Sequence, residues 1–131
     1  MAATRGIRNN NPLNIRKGNK WKGLAAVQTD KAFDVFISMP WGIRAAFVIL
    51  RNYIKKYGCN TVPKIIARWA PNSENDTQAY IKRVLLKTGF DANRVIKPDY
   101  DDLSKMIWAM AWVESLYMPS TKELRYAWDL I

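Results

Sequence analysis

From residue 40 onward, apolar side chains recur at helical spacing. In "SMPWGIRAAFVILRNYIKKYG", Ile43, Phe47, Leu50, Ile54 and Tyr57 share one stripe, Ser38 stands at an N-cap, Pro40 in the first turn and Gly58 at the stop. Arg44, Arg51 and Lys55 lie off that stripe and are expected in water. Thr61 can cap a shorter helix in which Val62, Ile65, Ile66 and Trp69 follow the i, i+3, i+4, i+7 pattern until Pro71 ends it. Beyond the polar loop "PNSENDT", the segment "TQAYIKRVLLKTG" puts Tyr80 and Val84 on one face and stops at Gly89.

The run "MIWAMAWVESLY", residues 106 to 117, is almost wholly apolar or small, and the acidic loop before it suits the positive end of a helix. A last helix opens at Ser120 with Glu123 in capping-box spacing, which gives Glu123 a structural task. Before residue 40 the pattern changes. "NNNPLNIRKGNKWKG" is rich in turn formers, and "FDVFIS" alternates partly with period two, as short strands or a hairpin would. The expected class is α+β, predominantly α-helical, with a small N-terminal β element.

Composition narrows the chemistry. The 131 residues suit one domain spanning 1 to 131, and 49% apolar content is enough for a sizeable core. With no His and a single Cys, a zinc site, a disulfide framework and serine–histidine catalysis all lack their residues, and no metal or cofactor is implied. The start, "MAATRGIRNNNP", has no apolar signal region and no run is long enough to span a bilayer, so neither export by the usual route nor a membrane span is expected. A net charge of +10 favours polyanionic partners: nucleic acid, anionic lipid or the acidic polymers of a bacterial envelope.

An enzyme built on this chain would therefore work with carboxylates. Glu114 follows Met110 by four residues and Ile107 by seven, so all three share a helical face, where an apolar setting is expected to raise the carboxyl pKa toward that of a general acid. Glycoside cleavage uses such an acid most directly. The plainer alternative is a carboxylate at a helix end, in solvent or paired with one of the 21 basic side chains. Glu74, in the loop "APNSENDT", is the rival acid. Asp30 and Asp34 flank the expected hairpin as candidate second carboxylates, and Asp76 is better placed as a helix cap. Six Trp and six Tyr offer flat faces for sugars or bases, with Trp69 and Trp108 the first candidates for the core. "RNNNPLNIR" gathers amides that could bind acetamido groups or phosphates, or simply form Asx turns.

These segments together carry a family resemblance. "GIRNNNPLNIR", "WKG", "FDVFISMPWGIRAAFVILRNYIKKYG" and "TVPKIIARWAPNSENDTQAYIKRV" resemble phage and prophage peptidoglycan hydrolases of lysozyme-like type. More distantly, "IIARWAPNSENDTQAYIKRV" is similar to a motif of the goose-type lysozyme and soluble lytic transglycosylase superfamily, roughly Ala-x-Tyr-Asn-x-Gly followed by Tyr-Val. Ala67 to Pro71 match its first part and Tyr80-Ile81 its second. In that superfamily a catalytic helix ending in Glu comes first, whereas here only "MAATRG" precedes the matching segments.

The helix that ends in Glu after apolar residues is the one carrying Glu114, so the resemblance implies a lysozyme-like fold circularly permuted, with its catalytic helix toward the C-terminal side. Glu114 would then be the general acid/base, with Glu74 the second choice. Tyr80 would lie in the cleft and orient Glu114 or the sugar, and Asn10, Asn11, Asn14 and Asn75 would contact substrate. The implied reaction is cleavage between N-acetylmuramic acid and N-acetylglucosamine, giving a hydrolysed or a 1,6-anhydro product. Peptidoglycan is the expected partner, other virion proteins further ones, and a monomer the expected state. The implied location is a phage virion or the host cytoplasm, with release to the wall. Two competing classes are a basic helical nucleic-acid-binding module, which leaves Glu114 unexplained, and an inactive wall-binding virion structural protein.

Overall fold

The computed structural model describes residues 3 to 72 and 76 to 131. It is predominantly helical. The helices are α1 (Arg5–Arg8), α2 (Met39–Tyr57), α3 (Val62–Trp69), α4 (Thr77–Thr88), α5 (Tyr100–Ser115) and α6 (Thr121–Asp129).

Helix α5 is the central element. Leu103, Met106, Ile107, Ala109, Met110 and Ala111 are fully buried and cover most of its circumference, while Asp101, Lys105 and Trp112 form a narrow exposed stripe. So wide an apolar face needs several partners, and α1, α2, α4 and α6 all pack against it. Phe47 of α2 completes the packing of α6 through Trp128, with ring centroids 5.2 Å apart, and Tyr100 closes the cluster at 6.0 Å from Trp128.

The helix boundaries follow local chemistry. The Thr61, Asp76, Asp99 and Ser120 side chains each accept a hydrogen bond from a first-turn backbone N–H, satisfying donors that the helix leaves open. Gly58 and Gly89 adopt left-handed conformations at the ends of α2 and α4. Ser38 occupies the N-cap of α2 without a side-chain cap bond. The capping box at α6 is half formed: Ser120 Oγ accepts from the Glu123 N–H, but the Glu123 carboxylate accepts from Tyr117 Oη at 2.5 Å.

The expected N-terminal β element is replaced by irregular chain. Among the described residues it contributes two isolated antiparallel bridges, Arg16 with Phe33 and Leu24 with Phe36. A few backbone bonds, such as Asp34 N–H to the Ile15 carbonyl and Ala25 N–H to the Val35 carbonyl, are supplemented there by side chains. Gln28 donates to the Ala25 and Val35 carbonyls and accepts from the Val35 N–H, and Asp30 accepts from the Ala32 and Phe33 N–H groups. Asp30 also forms a bidentate ion pair with Arg5, both contacts 2.6 Å, which ties this segment to α1.

The start of the chain docks on the end of α5. Thr4 Oγ1 donates to the Ser115 carbonyl at 2.7 Å and Ser115 Oγ donates to the Pro12 carbonyl at 2.8 Å. Gly6 is buried in this contact, and a Cβ there would overlap Ser115 Oγ.

No helix among the described residues is long and apolar enough to cross a membrane.

Candidate functional site

Three separated stretches converge on Glu114, in the last turn of α5. Trp69, at the end of α3, donates its indole N–H to Glu114 Oε2 at 3.0 Å. Tyr80, in the first turn of α4, donates its hydroxyl to the same oxygen at 3.0 Å. Asn14 Nδ2 lies 3.3 Å from both Oε1 and the backbone carbonyl of Glu114.

Local structure sets each donor. Asn14 takes a left-handed backbone conformation, φ 53°, which Asn tolerates better than most residues. Thr77 Oγ1 donates a short hydrogen bond to the Ala70 carbonyl, pinning the start of α4 to the end of α3 and so holding Tyr80 beside Trp69. Tyr80 is 8% exposed. Burial foremost, and then the neighbouring Glu114 charge, hold its hydroxyl well above the usual tyrosine pKa. It therefore remains a donor throughout the neutral range.

Glu114 opens onto a cleft of about 520 Å3, a size typical of small-ligand sites. Its walls are mixed. Trp21, Tyr53, Tyr57 and Trp69 supply aromatic faces, Asn14, Asn19 and Asn52 supply amides, and Arg16 and Arg68 supply positive charge. Among the described residues Glu114 is the one carboxylate in the lining. No group of three or more metal-ligating side chains occurs among them.

The structure distributes the sequence-derived candidates unevenly. Asn14, Tyr80 and Glu114 come together, with Tyr80 behind the carboxylate rather than on the cleft wall. Asn11 is fully buried: its amide N–H2 donates to the Ile15 and Asp34 carbonyls and its oxygen accepts from the Ile15 N–H, so it clamps the loop and lines no wall. Asn10 donates to the Phe36 carbonyl and likewise belongs to the scaffold. Glu74 and Asn75 lie outside the described residues. Asp76 caps α4.

Neither Asp30 nor Asp34 lines the cleft. The Arg5 guanidinium and the surrounding N–H donors hold the Asp30 carboxyl far below the usual carboxylate range. Asp34 is 3% exposed, and burial pushes its carboxyl up.

The surroundings of Glu114 also differ from the apolar wall that its spacing from Ile107 and Met110 implied. Those two side chains turn fully into the core, while the carboxylate, a further turn along, meets three polar donors at the helix end. Trp69, expected in the core, is half-buried and shows its polar edge to the site. Tyr53, Tyr57, Asn52 and Arg68 were not legible as site residues. A signal existed in the second stripe of α2, where Ile49, Asn52, Tyr53 and Tyr57 follow helical spacing on one face.

No family model matches the chain. Over 101 residues it is 46% identical to Protein P5 of Pseudoalteromonas phage PM2, an alignment covering 74% of this chain. The chain spans 63% of that relative's length. The similarity associates it with a phage protein.

Proposed function

We propose that this chain is a phage peptidoglycan hydrolase that cleaves the β-1,4 bond between N-acetylmuramic acid and N-acetylglucosamine, with Glu114 as general acid/base. One observation carries the reading: a carboxylate held by Trp69, Tyr80 and Asn14 at the wall of a cleft lined with aromatic and amide groups. Aromatic faces beside amides are the pairing that suits acetamido sugars.

In this reading the two carboxyl oxygens have different tasks. Oε2 accepts from both Trp69 and Tyr80, which occupies its two lone-pair directions. The transferable proton then sits on Oε1, which meets only the longer Asn14 contact. Oε1 gives that proton to the glycosidic oxygen, the C1–O bond breaks with its electron pair going to oxygen, and positive charge spreads over C1 and the ring oxygen. The carboxylate left behind removes a proton from water or from the muramoyl 6-hydroxyl as that oxygen bonds to C1. Water gives a lysozyme product and the hydroxyl a 1,6-anhydro sugar.

The lysozyme-like, permuted arrangement is part of the same proposal. Its support is the contact of Thr4 and Pro12 with Ser115, one residue past Glu114. These contacts bring the segment that resembles the part following the catalytic helix in the superfamily against the end of the helix carrying Glu114. The phage relative fits an enzyme that a virion or a lysing host brings to the wall.

The test is digestion of purified peptidoglycan with wild type and Glu114→Gln, with fragments read by mass spectrometry. Wild type is expected to release muropeptides, and Glu114→Gln to be slower by about 100- to 10,000-fold. Absence of release by wild type from intact and de-acetylated walls, with salt-sensitive DNA binding in its place, would favour the nucleic-acid reading.

A further inference from the structure

The geometry points to Arg68 as the receptor for a carboxylate borne on the substrate, so that the cleft selects the acidic glycan of the bacterial wall over an uncharged polymer of the same backbone sugars. This rests on the peptidoglycan reading above and adds a specificity residue to it.

Arg68 lies in the last turn of α3, one residue before Trp69, and lines the cleft that holds Glu114. Its side chain is exposed, yet it is not loose. The guanidinium carbon sits 3.7 Å from the ring centroid of Tyr57 and 5.2 Å from that of Tyr53, both on α2. Contact with two aromatic rings restrains the guanidinium beside the cleft. Arg5 and Arg94 spend their charge on Asp30 and Asp102, whereas no carboxylate among the described residues pairs with Arg68. A cation seated on two aromatic rings, in the last turn of a helix and beside a cleft, with no carboxylate partner among the described residues, is placed to receive an anion from outside.

The chemistry of the anion follows from that fork. A planar guanidinium edge matches a carboxylate with two parallel hydrogen bonds. In wall glycan, carboxylates hang from the 3-position of every second sugar, either on the stem peptide or on the lactyl group once the peptide is removed. Chitin shares the acetamido sugars and has neither. The aromatic and amide walls would accept both polymers, and Arg68 would distinguish them.

The test uses the full chain carrying Glu114→Gln, so that bound glycan persists, and measures binding calorimetrically. The probes are soluble glycan strands with stem peptides, the same strands stripped by an amidase to free lactyl carboxylates, and chitin oligomers of equal length. Acidic strands are expected to bind about 10- to 100-fold more tightly than chitin. Adding Arg68→Gln should remove that preference while leaving chitin binding in place. Adding Arg125→Gln, an exposed arginine stacked on Tyr100 at 4.6 Å outside the cleft lining, removes the same charge and should leave the preference intact.

Preference for the stripped strand assigns the lactyl carboxylate, and preference that needs the peptide assigns the stem. As a second readout, Arg68→Gln in the otherwise wild-type chain should raise KM on peptidoglycan more than it lowers kcat. The assignment is overturned if Arg68→Gln weakens acidic and neutral strands alike, or if a DNA oligonucleotide takes the Arg68-dependent site more tightly than acidic glycan. In either case wall cleavage by wild type would leave the hydrolase reading standing, whereas no cleavage and no glycan binding would remove both.

Discussion

Trp69 and Glu114 lie 45 residues apart in sequence, and the indole N–H of one donates to Oε2 of the other at 3.0 Å. The bond joins the last turn of α3 to the last turn of α5. With Tyr80 on the same oxygen, it fixes which carboxyl oxygen faces the cleft.

Removing either donor should therefore lower turnover more than it lowers stability. Trp69→Phe and Tyr80→Phe are each expected to reduce kcat on peptidoglycan by about 10- to 100-fold through misplacement of Oε1. Each should cost about 1 kcal/mol of folding free energy, the typical worth of one hydrogen bond. Since both act on one oxygen, the double variant should lose less than the product of the single losses, which a double-mutant cycle in kcat measures.

Alkaline stability should carry the signature of Tyr80. Its folded pKa is raised above the unfolded value of about 10, so its protonated form stabilises the fold below pH 10 and that contribution is lost as pH rises toward the folded pKa. Urea unfolding of wild type and Tyr80→Phe at pH 8 and pH 11 reads this out. The stability difference between the two proteins should shrink at the higher pH.

Acid should act through a different residue. Asp30 has a folded pKa depressed by Arg5 foremost and then by the Phe33 N–H and Asn9, so its contribution is present above the unfolded value of about 4 and is lost as pH falls below it. Asp30→Asn should be less stable than wild type at pH 6. The gap should close as the solution is acidified, which acid titration followed by far-UV circular dichroism can report.

Gly6→Ala tests whether α1 supports the site. The new methyl group would meet Ser115 Oγ and the Asn11 carbonyl, at the turn where α5 ends. Overpacking of this kind costs about 1 to 3 kcal/mol. Because Ser115 adjoins Glu114, muropeptide release should fall further than the loss of folded protein explains, a comparison made at a temperature where the variant remains folded.

The sequence was most informative where chemistry is local. Caps at Thr61, Asp76 and Ser120 and stops at Gly58 and Gly89 stand where the pattern put them, because each depends on residues within one turn. The apolar run of α5 indicated burial but hid its role as the central helix, which depends on what surrounds it. Tyr57 fits the spacing of the core stripe yet is 57% exposed, and its ring meets Arg68 in place of the core.

In the N-terminal region, period-two alternation suggested strands, but side chains such as Gln28 and Asp30 bind the backbone groups that a partner strand would have needed. At the site, Glu114 was legible as a carboxylate after an apolar run, and Tyr80 and Asn14 through the family resemblance. Trp69 and Arg68 were not, since periodicity describes the face of one helix and is silent on which distant helix meets it.

The closure of residues 4 to 14 onto the end of α5 also governs when the cleft can exist. Thr4 meets Ser115 across 111 positions and Asn14 meets Glu114 across 100. Neither contact can form until a ribosome has passed residue 114, and such distant pairings are slow to close. Residues 4 to 14 must wait, undocked, until α5 has been made. An assembled cleft is thus withheld from the growing chain, whatever part of the fold has already condensed.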